Sequence, residues 1–392
     1  MEDGAMGQAN GRLVVGVAAP AATPAAARLA WVDNLKIAVI AGVVVVHAAI
    51  TYVIDVDWYY QERTTSGLWQ ALLSLPMLGA PFVLGPLFLL GGVFAAASLA
   101  RRGPGGFGHS RLLRLGVPLV VFVAVLSPLT NYLGDLGEGR RPSVWPYLAP
   151  GGPEQDSGPL WFVAALLSFS LVYAAWRWSR PAGSHRGAAV RPRQLLIAAA
   201  VIAAGSVAVR LRWPYDTSDA FLDLRWAEWP QGAVLFTLGV LWGERGWRGR
   251  VPVAWSHRCG QVAAAGLAAL SLLAVVTVMA EEDLDRLFGG WHWQSLAFAV
   301  LEGVVAVALS LWLVVWFRRR WAHQGRLAKR ASRGAYAAYV LHAPVLVLVS
   351  LAARPLPLPP EAKFVLVAAA GVVAAFTVGW AVTRSALVAR FV

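Results

Sequence analysis

Few residues in this sequence are equipped for chemistry, and those few sit in unusual places. His47 lies deep in the run from Trp31 to Tyr52, about twenty mostly apolar residues that carry Asp33 and Lys36 near their start. Such a run reads as a membrane-spanning helix, where an ionisable side chain is costly and becomes a functional candidate by default. On a helix rising ~1.5 Å per residue, Lys36 and His47 stand roughly 16 Å apart along the axis and within about 20° of one face. A cation at the inner membrane surface and a candidate base in the outer half of the bilayer therefore look along one side of the same helix.

Two further titratable residues fall near the middle of later apolar runs, Glu302 and His342. A hydrogen bond to a neighbouring helix is the plain alternative for each histidine. For Glu302 the plain alternatives are a neutral carboxyl or a structural partner to an arginine. Arg111 and Arg114, three apart at the start of an apolar run, share a helical face and could hold phosphate or simply anchor the helix to lipid headgroups. The aromatics between runs, Trp58, Tyr59, Trp145, Trp213, Trp226, Trp229, Trp291 and Trp293, could stack on sugar rings or form an interfacial belt. A single cysteine, Cys259, excludes an intrachain disulfide and any multi-cysteine metal cluster, and no metal is expected.

The elements that must position these residues follow from composition. The 392 residues are 58% hydrophobic and 14% charged, with a mean hydropathy of +0.58, which describes a polytopic membrane protein. The net charge of +13 is carried by arginines clustered between apolar runs. That is a positive-inside pattern and not a nucleic-acid surface. The reading is an all-α transmembrane helical bundle of about ten spans with both termini cytoplasmic. Residues 1–30 form a disordered cytoplasmic tail, 31–385 the ten-helix membrane domain, and 386–392 a short cytoplasmic tail. The faint signal-like run at 13–19 is too short to be a cleaved leader. Pro76, Pro81 and Pro86 divide 68–100 into a short interfacial or re-entrant piece and a span from about Pro81. A glycine-rich basic turn is expected over 101–114.

Five pieces in order, covering about residues 31–385, resemble the membrane acyltransferase type 3 family. They are Asp33-x-x-Lys36 followed by ten residues and His47; Arg111-x-x-Arg114; Leu160-Trp161-Phe162; Phe236-x-Leu-Gly239 with Gly246-Trp247; and Tyr339-x-x-His342. The resemblance implies transfer of an acyl group, most often acetyl, from cytoplasmic acyl-coenzyme A to a hydroxyl of a glycan, lipid-linked sugar or secondary metabolite. It maps Lys36, Arg111 and Arg114 onto the coenzyme and His47 onto catalysis. The remaining site candidates are Glu302 and His342 as further catalytic groups and Asp33, Trp161 and Tyr339 as substrate contacts. Lys36 stands where the family usually has arginine, so it meets phosphate as a point charge without a bidentate contact.

Physical chemistry accommodates that reading. The coenzyme's phosphates cannot cross the bilayer, so a basic cluster at the inner surface would hold them, while a pantetheine arm on the order of 15–20 Å reaches as deep as His47 lies along its helix. His47 would serve as general base on the acceptor hydroxyl or as a transient acyl carrier. The expected setting is the plasma membrane, as a multi-pass protein of the bacterial inner-membrane type. Expected partners are the bilayer, the hydroxyl-bearing acceptor, and either a separate extracytoplasmic protein or a second copy, with no nucleic acid. The alternative is a proton-coupled transporter or exporter relaying protons through His47, Glu302 and His342, although the matched repeats that such carriers show are not evident.

Overall fold

The computed structural model describes residues 29–53, 56, 58–150, 155–180, 191–215, 222–246 and 253–391. The expected tail up to residue 28 and Trp247 lie outside them. Every regular element among the described residues is helical. Among the described residues, eight helical stretches are long and apolar enough to cross a membrane. One of these, Ala80–Gly137, has 58 residues, and at ~1.5 Å per residue it could cover a ~30 Å hydrocarbon core twice.

In order, α1 is Ala30–Tyr52, α2 Gly67–Met77, α3 Gly85–Arg111, α4 Val117–Val121, α5 Ser127–Gly137 and α6 Trp145–Leu148. There follow α7 Trp161–Ser179, α8 Pro192–Arg210, α9 Trp229–Glu244, α10 Val253–Met279, α11 Trp293–Arg320, α12 Arg326–Ala353 and α13 Pro360–Val382. At 16 residues, α9 is shorter than the ~20 that a full crossing takes. The short α2 turns Leu68, Trp69 and Leu72 outward, which suits a piece lying at an interface. It is separated from α3 by a single 3-10 turn at Ala80–Phe82.

α1 packs on α11, α12 and α13, while α3 crosses α9, α11 lies between α8 and α10, and α5 rests on α12. Lipid tails give helices no hydrophobic reason to associate, so close backbone approach at small residues has to supply the contact. The crossing of α3 and α9 shows this. A side chain at Gly239 would collide with the Leu89 carbonyl, and one at Gly92 with that of Phe236. The glycine of the Phe236-x-Leu-Gly239 piece thus has a packing explanation.

The expected turn at 101–114 is mostly helical. The break is confined to Gly103, whose φ of 69° and ψ of 168° leave the helix, and Pro104 starts the next helical segment, where its missing N–H costs nothing. The glycine-rich stretch stays helical because Phe107 is fully buried against the edge of Tyr173, 6.2 Å away. Beyond it the helix widens twice, at Leu112–Gly116 and Phe122–Leu126. Such widened turns recur at functional sites.

Candidate active site

α1 is continuous from Ala30 to Tyr52, so Lys36 and His47 do lie on one rigid rod. His47 is half-buried. His342 on α12 is fully buried, and the two imidazoles meet with ring centroids 5.0 Å apart. Each ring is oriented by its own helix. The Nδ1 of His47 lies 2.8 Å from the carbonyl oxygen of Val43, and that of His342 bonds to the carbonyl of Tyr339. A carbonyl can only accept, so in both rings Nδ1 carries the proton and Nε2 keeps a lone pair. The Nε2 of His342 has no hydrogen-bond partner among the described residues. Two bases thus stand side by side, one of them reachable.

The loop after α1 closes the other side of His47. Trp58 lies against its ring at 4.4 Å with planes 33° apart, and Tyr59 meets Trp58 edge-on at 4.8 Å. The Tyr59 hydroxyl donates to Asp156 at 3.4 Å, which also accepts from Ser127 at 2.9 Å. Burial and then the nearby Asp156 carboxylate hold the Tyr59 hydroxyl well above its usual range, so it remains a donor. Arg225 is near enough for its charge to act on His47. It sits in a loop where Leu222, Asp223 and Arg225 all have left-handed backbones, with φ of 63°, 43° and 50°. Strain of that kind persists only where surrounding contacts impose it. Ser157 does so here, with its N–H on the Leu222 carbonyl at 2.7 Å and its hydroxyl on that of Asp223 at 2.9 Å. Asp223 in turn accepts from Arg225 Nε at 3.2 Å.

Of the residues singled out from sequence, Tyr339 joins the histidine pair. It stacks on His342 at 5.5 Å, and its hydroxyl donates to the Pro159 carbonyl, which ties α12 to the entry of α7. Phe162 meets Tyr339 edge-on at 6.0 Å, and Trp161 packs on Phe88 at 6.4 Å. The Leu160-Trp161-Phe162 piece therefore forms a wall beside the pair.

The others lie elsewhere. Asp33 pairs with Lys36 at 3.8 Å, at the opposite end of α1 from His47. Arg111 lies over the Phe107 ring at 5.1 Å, while Arg114 is exposed within the first widened turn. Glu302 is engaged by Arg210 at 2.6 Å, with both side chains almost fully buried. Arg210 also stacks on Tyr215 at 4.3 Å and Phe298 at 5.1 Å. A cavity of about 650 Å³ lies not at the histidines but between α3, α7 and α9, lined in part by Tyr173, Arg177, Trp178 and Glu244.

Arg210 escaped the sequence reading because it closes an apolar run and looks like a boundary arginine. Trp58 and Tyr59 were indistinguishable from belt aromatics, and nothing local marks Ser127, Asp156, Ser157 or Arg225. The model of the acyltransferase domain family Acyl_transf_3 matches residues 29–384 of the chain. Comparison with curated proteins and with solved structures gives no significant match. With that family's domain covering nearly the whole chain, the protein belongs to the membrane acyltransferase type 3 family and is a multi-pass membrane acyltransferase.

Proposed function

We propose that the protein moves an acyl group, acetyl above all, from cytoplasmic acyl-coenzyme A to a hydroxyl of a glycan, lipid-linked sugar or secondary metabolite, with His47 at the reacting centre. The observation that carries this reading is the pair of imidazoles, each with Nδ1 committed to a backbone carbonyl so that the lone pair falls on Nε2. His47 Nε2 takes the proton of the acceptor hydroxyl as its oxygen attacks the thioester carbonyl, or itself attacks and carries the acyl group briefly. His342, behind it, receives or returns that proton. Tyr339 and Trp161 shape the acceptor side, and Asp33 sets the rotamer of Lys36 at the donor side.

Lys36, Arg111 and Arg114 bind the coenzyme's phosphates at the inner surface, and the protein resides in the plasma membrane with both termini inside. The roughly 16 Å along α1 from Lys36 to His47 falls within the reach of an extended pantetheine arm. The test is transfer from labelled acetyl-coenzyme A in membranes containing wild type or His47→Ala, with extracted glycans and lipids screened for label. Label that depends on His47 supports the assignment, whereas equal label in both membranes removes His47 from the reaction.

A further inference from the structure

Acyl transfer needs two opposite polarities at one place. A lone pair must accept the alcohol's proton, and a hydrogen-bond donor must meet the carbonyl oxygen as it becomes an oxyanion. The two histidines supply the first and not the second, because each Nδ1–H is already given to a carbonyl of its own helix. The backbone of α1 around His47 is helical and offers no free N–H.

One donor beside His47 is uncommitted. The indole Nε1–H of Trp58 is buried without a hydrogen-bond partner among the described residues. An indole nitrogen can only donate, and it does so at any pH. Leaving such a group buried and unpaired is unfavourable unless something else meets it during function. The ring is in contact with His47, 4.4 Å away with planes 33° apart. The two rings are tilted against each other at contact distance, so the indole lies beside the imidazole. A tetrahedral centre whose attacking oxygen meets His47 Nε2 would turn its oxyanion to the side of that neighbouring ring.

The residues that follow Trp58 are held at several points. They return to the end of α1 through Glu62 N–H on the Thr51 carbonyl at 2.9 Å and Thr64 N–H on that of Tyr52 at 2.8 Å. Tyr59 is anchored to Asp156, and α5 comes so close that a side chain at Gly134 would collide with the Tyr59 carbonyl. Lys363 on α13 grips Glu62 at 2.6 Å. A packing tryptophan at an interface needs none of this, whereas a preorganised donor needs all of it.

We propose that Trp58 is a catalytic residue whose indole N–H binds the thioester carbonyl oxygen and stabilises the oxyanion of the tetrahedral intermediate. This rests on the acyl-transfer reading above. The acceptor oxygen forms its bond to the carbonyl carbon as its proton passes to His47 Nε2, and the carbonyl electron pair moves onto oxygen, held by Trp58. Collapse then breaks the carbon–sulfur bond, and the departing thiolate of coenzyme A takes the proton from His47.

The experiment uses the full-length protein in liposomes with acetyl-coenzyme A alone, so that water is the nucleophile and no acceptor need be known. Trp58→Phe keeps a large ring without the N–H, and Trp58→His keeps a ring N–H. Loss of one oxyanion donor lowers kcat by about 10²–10³-fold. For Trp58→Phe that loss is expected with KM for acetyl-coenzyme A within threefold of wild type, and Trp58→His should recover part of it. Wild-type kcat in Trp58→Phe, equal loss in both variants, or a fall in kcat matched by a rise in KM overturns the assignment. Should Trp58→Phe not accumulate, Trp58→Leu replaces it against Trp58→His, with equal rates again overturning it. A wild-type rate no higher than that of His47→Ala would instead sink the acyl-transfer reading itself.

Discussion

At the scale of single residues, the two histidines can be separated by which nitrogen a substitute imitates. Asparagine places its amide near Nδ1 and can still donate to the Tyr339 carbonyl, whereas glutamine reaches towards Nε2. If the Nε2 of His342 handles a proton, His342→Asn should lose roughly 10²–10⁴-fold in transfer rate while remaining folded. Full activity in His342→Asn would reduce this histidine to a strut. Glu302 calls for a different test, since its carboxylate is held by Arg210 at 2.6 Å with neither side chain open to solvent. Removing one partner of a buried pair costs about 3–5 kcal/mol, because the other is left charged and unpaired. Arg210→Met and Glu302→Leu should each lower the unfolding temperature in detergent, and the double variant should recover most of it. If the double variant also keeps transfer activity, Glu302 is a structural partner, one of the two plain alternatives that the sequence left open for it.

At the scale of elements, α9 and the strained loop before it make separable predictions. Gly239→Ala pushes a methyl group into the Leu89 carbonyl at the α3 crossing and should destabilise by about 1–3 kcal/mol. An unchanged unfolding temperature would mean the helices can part without cost. Glu228, at the entry to α9, has its carboxyl raised from the ordinary 4.5 to about 8, chiefly by burial, with Arg225 and Arg210 opposing and Glu302 and Asp223 reinforcing the rise. Such a group binds its proton more tightly folded than unfolded. Stability should therefore be greatest below pH 4.5, decline as pH rises from 4.5 to about 8, and level off beyond. Glu228→Gln should remove that part of the slope between pH 5 and 8.5, and an unaltered slope would assign it to other groups.

The same elements show what the sequence could and could not reveal. Helices announce themselves through twenty-residue hydropathy, and His47 and His342 stand out because imidazole is rare in such runs. The Arg210–Glu302 pair joins residues 92 apart, and the bond from the Ser157 hydroxyl to Asp223 spans 66. Contacts of that reach depend on how helices are arranged, which no local pattern encodes. The turn expected at 101–114 gives way to helix for a related reason. Glycine's poor helix propensity was outweighed by burial of Phe107.

At the scale of the whole molecule, the charges at the end of the bundle that the proposed function places in the cytoplasm must be sorted into those free to meet a polyanion and those already committed. Arg177 lines the 650 Å³ cavity, which by size alone would suit a ligand. Its guanidinium nevertheless lies 3.6 Å from Glu244, whose carboxylate also accepts from Tyr173 at 2.9 Å. An anionic ligand entering there would meet a carboxylate as well as the arginine. Among the described residues no acid pairs with Arg111 or Arg114: Arg111 rests on an aromatic face, and Arg114 is exposed. Like charges three residues apart repel each other, and a bound phosphate would relieve that repulsion. Arg111→Ala and Arg114→Ala should therefore raise KM for acetyl-coenzyme A, and the effect should shrink as salt rises from 0.05 to about 0.5 M because partly exposed contacts are screened. Arg177→Ala should leave KM and its salt dependence as in wild type while lowering stability. If instead Arg177→Ala alone raises KM, the coenzyme's phosphates lie in the cavity between α3, α7 and α9, and the paired arginines of the widened helix serve as lipid anchors.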